Sequence, residues 1–281
     1  MHILVTNDDG YNAPGLRVLV DILRDFGVVT VVAPKYQQSA MATAVTMGYK
    51  PIAVKKLKEE KGERWWYADA TPTSCIKFAL NEIFIGKRPD LVITGINHGS
   101  NTGSAAIYSA TLGAAEEGAV AGIPSFGVSM DSHDRNTDLS AIKELLPGIL
   151  KKLLKHKSRK FGLYYNINFP NAKREDIRGI RICHQGINHW EREFTTYDYG
   201  IFDEMGISPA DVGIPVMPVL EEGEKAYMIV GDLTDNDNNM EPADHHYVAC
   251  GYITIVPLKT DKTDYEETGR LRDLEFDCNF R

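Results

Sequence analysis

Residues 1–10 read MHILVTNDDG. His2 to Val5 form a short apolar run, and Asn7, Asp8, Asp9 and Gly10 follow at once. A strand covered on both faces of a parallel sheet is apolar along its length, so the switch to two adjacent carboxylates marks its C-terminal end. Open α/β sheets bind their ligands at that edge. Neighbouring carboxylates repel each other, and a divalent cation relieves the repulsion. The same four residues also suit a plain polar turn, with Asp bonding locally and Gly supplying positive φ. On these residues alone the two readings stand level.

Outward from that stretch, Pro14 opens a helix where proline is best tolerated, Leu16, Leu19, Val20 and Leu23 share one face, and Gly27 ends it. Val28 to Ala33 (VVTVVA) is a second buried strand and completes a βαβ unit. A loop of small and polar residues, PKYQQSAMATAVT at 34–46, leaves that strand and carries Ser39. Residues 50–69 read as a hairpin: Pro51 to Val54, a charged turn KKLKEEKGER, and a half-buried strand through Trp65, Trp66 and Tyr67. Thr71 or Thr73 caps a helix that runs to about Ile85.

Asp90 to Thr94 is the next strand and breaks into GINHGSNTGS at 95–104. This loop feeds a helix expected over Ala105 to Ala121, whose N-terminus offers unpaired N–H groups and the positive end of a dipole. Asn97, Gly99, Asn101, Ser104, Ser109 and Thr111 are the candidate phosphate and substrate contacts. The glycines at 95, 99 and 103 match neither a dinucleotide fingerprint nor a Walker loop. Ser125 to Ser129, a helix from about Leu139 to Leu154, and Leu163 to Asn168 continue the alternation. The expected fold is α/β: a doubly wound, mostly parallel, Rossmann-like sheet over residues 1–173.

Beyond residue 173 the pattern turns β-rich. Segments 178–184, 191–199, 225–230 and 248–257 read as strands, and 265–274 as a short amphipathic helix. Residues 174–281 are therefore expected to form a hairpin extension and C-terminal helix that serve oligomerisation. GDLTDNDNNMEPADHH at 231–246 lacks the glycine and closing glutamate of a calcium loop and reads as a solvated turn. His245 and His246, taken as strand residues, would point to opposite faces, so neither is assigned to a metal.

The bulk numbers narrow the partners. With 281 residues, 43% hydrophobic and 25% charged, the chain suits a globular protein with a substantial core. A net charge of −8 argues against a nucleic-acid polymer. The basic run KKLLKHKSRK at 151–160 falls at a helix end, where cations suit the dipole. Cys75, Cys183, Cys250 and Cys278 are scattered, without metal or disulfide spacing, which fits a reducing compartment. No apolar run approaches a membrane span, and the expected location is cytoplasmic.

Three blocks together resemble the SurE family of stationary-phase survival protein phosphatases: ILVTNDDGYNAPGL, KYQQSAMATAVT, and DLVITGINHGSNTGSAAIYSATLGAAEEGAVAGIPSFGVS. YYNINFP at 164–170 and GYITIVPL at 251–258 agree more loosely. The resemblance implies a divalent-metal-dependent phosphatase acting on nucleoside monophosphates, and a homodimer or homotetramer. It carries the metal ligands onto Asp8, Asp9, Ser39 and Asn97, with Asp8 and Asp9 also the candidate catalytic residues. The chain departs from the family at Ala110 and Leu112, where glycine and valine are usual, and at Ala105 and Ala106, where an acid is common. These departures bear on substrate preference.

The strand ends after Thr6, Ala33 and Thr94 would bring those four residues to one edge. All are hard oxygen donors, which favours one Mg²⁺, Mn²⁺ or Ca²⁺ per subunit over Zn²⁺. The ion would polarise the phosphoryl group and position the attacking water; direct attack by Asp8 or Asp9 is the alternative. A receiver domain would need an Asp where this chain has Thr94 to Asn97. A haloacid-dehalogenase phosphatase would need Asp-x-Asp. A non-catalytic metal- or nucleotide-binding regulator on the same fold is the remaining rival.

Overall fold

The computed structural model describes residues 1–47, 50–60, 62–156, 158, 160–198, 200, 204, 219–229, 231–236 and 241–274. Residues 237–240 of the acidic loop, Tyr199 and Val230 of the expected strands, and Cys278 lie outside the described residues. In chain order the elements begin β1 (His2–Thr6), α1 (Pro14–Leu23), β2 (Val28–Pro34), β3 (Val54–Glu60), β4 (Glu63–Ala68) and α2 (Pro72–Phe78). A π-helical turn, Ala79–Ile83, extends α2. Next come β5 (Leu91–His98), α3 (Ala105–Tyr108), α4 (Ala110–Val120), β6 (Ser125–Met130), α5 (Ser140–Lys155) and β7 (Leu163–Phe169). The later part holds β8 (Ile180–Ile182), β9 (Asn188–Glu191), β10 (Phe194–Thr196), β11 (Tyr227–Ile229), β12 (Asp232–Asp235), α6 (Asp244–Ala249), β13 (Ile253–Lys259) and α7 (Tyr265–Arg272).

One nine-stranded sheet has the order β3-β4-β2-β1-β5-β6-β7-β13-β8. Its six central strands, β4 to β7 in that order, are parallel. β13 closes one side antiparallel to β7, with β8 beside it, and β3 closes the other side against β4. The chain runs outward from β1 to β2 and β4, then returns to β5 on the opposite side. The order therefore reverses between β1 and β5, which is a topological switch point.

The period-2 alternation of β1 explains its burial on both faces. Ile3 and Val5 join the layer of Leu16, Leu19, Leu23, Ile142, Leu146 and Leu150, contributed by α1 and α5. Leu4 joins Cys75, Ile76, Ala79 and Ala114 under α2 and α4. Each fully buried Leu or Ile contributes about 1.5–3 kcal/mol relative to exposure, so both faces hold β1 firmly.

Several expectations need correction. The charged run after Val54 is not a turn but the body of β3, an edge strand whose Lys and Glu face solvent. The helix expected over 105–121 is two helices, because Ser109 leaves helical geometry at ψ 118° and caps α4, accepting a bond from Leu112 N at 3.1 Å. Thr71 caps α2. α1 ends at Leu23, before Gly27; Gly27 instead has φ +154° beside Met1, where a Cβ would meet Met1 N at 2.8 Å. Residues 244–249 are helical, so His245 and His246 do not lie on a strand.

Candidate metal and phosphate site

Parallel register sets Thr6 of β1 opposite Thr94 of β5. β5 does not break after Thr94 as expected but runs on to His98, so Asn97 and His98 are strand residues at the edge where the chain leaves β1. Asp8 follows β1 and is 4% exposed. Its Oδ1 accepts a hydrogen bond from the Thr111 hydroxyl, and its carbonyl accepts one from Gln38 N at 2.7 Å. Thr111 is the second residue of α4, and its own carbonyl accepts from Thr94 Oγ1 at 2.7 Å. The carboxylate pair, the loop after β2 and the start of α4 thus meet at the switch point.

Asp9 is oriented from β5. Its Oδ2 lies 3.3 Å from His98 N and 3.4 Å from His98 Nδ1. Asn97, 9% exposed, donates from Nδ2 to Gly99 O at 2.8 Å, which leaves its oxygen as the group able to act as a ligand. Ser39 is exposed, and its hydroxyl accepts from Gln37 Nε2 at 2.8 Å. Arg135 donates to Gln37 Oε1 at 2.7 Å and fixes that side chain.

Burial, and then the adjacent Asp9, push the Asp8 carboxyl from 3.8 to about 7, against the opposing Thr111 hydrogen bond. Asn7 Oδ1 is a further buried acceptor with no hydrogen-bond partner. A divalent cation at the carboxylate pair would offset both the desolvation and the repulsion, and the oxygen donors of Asp8, Asp9, Ser39 and Asn97 suit a hard ion.

The other candidate residues divide. Ser109 and Thr111 stand at the start of α4, so the helix terminus near Asp8 is there and not at Ser104. Asn101 ties the glycine-rich loop to the sheet: its Nδ2 donates to Ser129 Oγ at 2.8 Å, and its N donates to Asn168 Oδ1 at 2.9 Å. Ser104 N donates to Asn188 Oδ1 at 2.7 Å, and its hydroxyl donates to Asn188 O. A cleft of about 310 Å³ opens beside Ser109, lined by Ala42, Gly113, Tyr164, Gln185 and Lys259 among others.

Three supporting groups escaped the sequence reading. His98 steadies Asp9 from a position with no motif value. Asn166 and Asn168, both fully buried on β7, hold the loop through Asn101; two asparagines at i and i+2 in an apolar strand were the available signal. Asp244, also fully buried, accepts from Gly103 N at 3.0 Å, Gly186 N at 3.0 Å and His245 N at 2.8 Å. Burial raises its carboxyl above the ordinary range despite those bonds.

Residues 3–192 match the family described as Survival protein SurE. A 5′-nucleotidase SurE of Flavobacterium psychrophilum is 34% identical over 97% of both chains. One from Caldanaerobacter subterraneus subsp. tengcongensis is 34% identical over 98% of both. Among solved structures, the SurE protein from Aquifex aeolicus superposes with a TM-score of 0.74 at 29% identity, covering 97% of this chain and 98% of its own. Likeness in sequence and in fold that runs nearly end to end shows that the chain belongs to the SurE family.

Proposed function

We propose that the chain is a divalent-metal-dependent phosphoric monoester hydrolase, a 5′-nucleotidase that releases phosphate from nucleoside monophosphates. The observation that carries this reading is the hydrogen bond from Thr111, at the start of α4, to Asp8. It sets a carboxylate pair and a helix N-terminus around one spot, as a phosphate with its cation requires. The likeness to relatives that are named 5′-nucleotidases supports the same conclusion.

In this reading Asp8, Asp9, Ser39 and Asn97 hold one Mg²⁺, Mn²⁺ or Ca²⁺ per subunit. When bound, the ion polarises the phosphoryl group and acidifies a water molecule. The chain's own residues supply the rest. Thr111 and His98 fix the two carboxylates, and Ser109 turns the chain so that the first N–H groups of α4 face the phosphate oxygens. Gly99, Asn101 and Ser104 shape the neighbouring loop. The cleft beside Ser109 offers room for the nucleoside.

We assign the metal ligands to residues 1–173 and oligomerisation into a homodimer or homotetramer to residues 174–281, of which β8 and β13 also complete the central sheet and Gln185 and Lys259 reach the cleft. Exposed apolar residues of the extension, such as Phe194 (67%) and Ile229 (69%), support a surface covered by a second copy. Among the described residues no helix is long and apolar enough to cross a membrane, and we take the enzyme as cytoplasmic with no nucleic-acid polymer as partner.

The test is phosphate release from a panel of 5′- and 3′-nucleoside monophosphates and short polyphosphate, first in EDTA and then with Mg²⁺ or Mn²⁺ restored. Metal-restored release from 5′-monophosphates is expected. Binding of metal and nucleotide without release under any metal would establish a non-catalytic regulator instead.

A further inference from the structure

The end of β12 and the first turn of α6 bring together three ligating side chains, on elements that contribute nothing to the carboxylate pair. Asp235 Oδ2 lies 2.5 Å from His246 Nε2 and 3.3 Å from His245 Nε2. The two imidazole centroids are 4.0 Å apart, and ligand atoms of all three residues fall within 4.8 Å of one another. The helix makes this possible. Successive helical residues diverge by about 100°, not the near 180° of a strand, so both rings reach one carboxylate.

His245 adds an independent observation. Its side chain is only 15% exposed, and neither ring nitrogen has a hydrogen-bond partner. Nε2 is close to Asp235 but out of line for a hydrogen bond. Nδ1 stands 3.6 Å from Asp244 Oδ1. An enclosed imidazole with both nitrogens unpaired is costly, and an ion at Nε2 removes that cost.

We infer that Asp235, His245 and His246 form a second metal site, for a borderline transition ion such as Zn²⁺. Ligands bonded at about 2.0–2.1 Å around a tetrahedral ion stand roughly 3.3 Å apart, the separation already present between His245 and Asp235. The His246 contact opens by about 0.8 Å to admit the ion. Two imidazoles and one carboxylate select Zn²⁺ and its neighbours over Mg²⁺, the reverse of the all-oxygen set. Three protein ligands leave a fourth position for water.

Bound through Nε2, His245 directs its Nδ1–H toward Asp244, the carboxylate–histidine–metal arrangement that fixes ring orientation. Asp244 also holds Gly103 of the glycine-rich loop. The ion therefore fastens β12 through α6 to the border of the phosphate site, and the number of divalent ions per chain rises from one to two.

The experiment is equilibrium dialysis of the full chain against Zn²⁺ in a large excess of Mg²⁺, with Co²⁺ visible absorption as a second readout. The wild type is expected to take up one Zn²⁺ per chain. Asp235→Asn and His246→Ala alter side chains that are 44% and 40% exposed, so both variants should fold. Each is expected to bind Zn²⁺ at least about 100-fold more weakly, beyond the effect of losing an outer partner, and to lose the Co²⁺ bands. Asp9→Asn, which alters only the oxygen set, should retain the Zn²⁺. No Zn²⁺ uptake over Mg²⁺, unchanged affinity in both histidine-site variants, or loss of Zn²⁺ in Asp9→Asn would each overturn the proposal.

Discussion

Replacing Gly113 by alanine tests whether α4 holds the Ser39 loop in place. Gly113 faces the loop of residues 34–46, and a Cβ there would fall 2.8 Å from Thr43 N and closer still to the Ala42 carbonyl. Ordinary carbon contacts are 3.5–4.0 Å, so clearing Thr43 N alone takes a retreat of about 0.7 Å, and clearing the nearer Ala42 carbonyl takes more, about 1 Å or above. The neighbours are backbone atoms, and no side chain can rotate away. Ala42 N also donates to Tyr108 O at 3.0 Å, which pins the loop at the same place. Two stability terms oppose each other. Alanine gains about 1 kcal/mol over glycine in a helix interior, whereas overpacking costs about 1–3 kcal/mol. The net loss is at most about 2 kcal/mol, and the protein stays folded, with a Tm drop of no more than about 8 °C. Activity carries the larger effect, since a displacement of about 1 Å in a positioning group costs on the order of 100-fold in rate. Gly113→Ala is therefore expected to lower Mg²⁺-dependent phosphate release about 10- to 100-fold and to weaken Mg²⁺ binding. The assays are kcat/KM across a Mg²⁺ titration and a thermal melt on the same preparation. A kcat/KM within about threefold of wild type at every Mg²⁺ concentration would refute the idea that this contact places Ser39.

Other perturbations probe the carboxylates. In EDTA, Asp8 binds a proton in the fold up to about pH 7, whereas the unfolded chain releases it near 3.8. Its raised value thus favours the fold at low pH, and that contribution, on the order of a few kcal/mol, is lost as pH rises from about 4 to 7. The metal-free wild type should lose more Tm than Asp8→Asn between pH 5 and 8, and Mg²⁺ should restore it; equal slopes would contradict this. Asp8→Asn should lower both metal affinity and turnover, and wild-type turnover with metal still bound would dismiss its role. Asp244→Ala strands the N–H groups of Gly103, Gly186 and His245, at about 1–3 kcal/mol each. Asp244→Asn keeps an acceptor and should cost less in urea unfolding; identical losses would argue against the hydrogen bonds.

What the sequence disclosed follows a physical line. β1, β2 and β5 are apolar and enclosed, so their runs and their polar ends are visible locally. β3 reads as a turn because an edge strand wears charge on its solvent side, where Lys56, Lys58, Glu59 and Glu60 hide the strand. The break at Ser109 was hidden because serine can start a helix at either 104 or 109, and the small residues around it show no period. Asp8 and Asp9 follow a strand end, where position itself is informative, whereas Asn97 lies within β5, which runs past the expected break at Thr94 to His98. Asp244 and Asn168 gain their roles only by meeting partners 141 and 67 residues away, and no local pattern encodes such meetings.

β13 has a consequence for a chain made from its N-terminus onward. It pairs with β7 from Thr254 opposite Asn168 to Lys259 opposite Leu163. Until those last residues leave the ribosome, β7 is an open sheet edge of the kind that recruits other strands. The loop at Gly103 also waits, because Asp244 emerges only shortly before β13. Nascent chains stalled before residue 260 are therefore the aggregation-prone species, and a stop codon upstream of β13 leaves the sheet that ends at β7 with an unsealed seam.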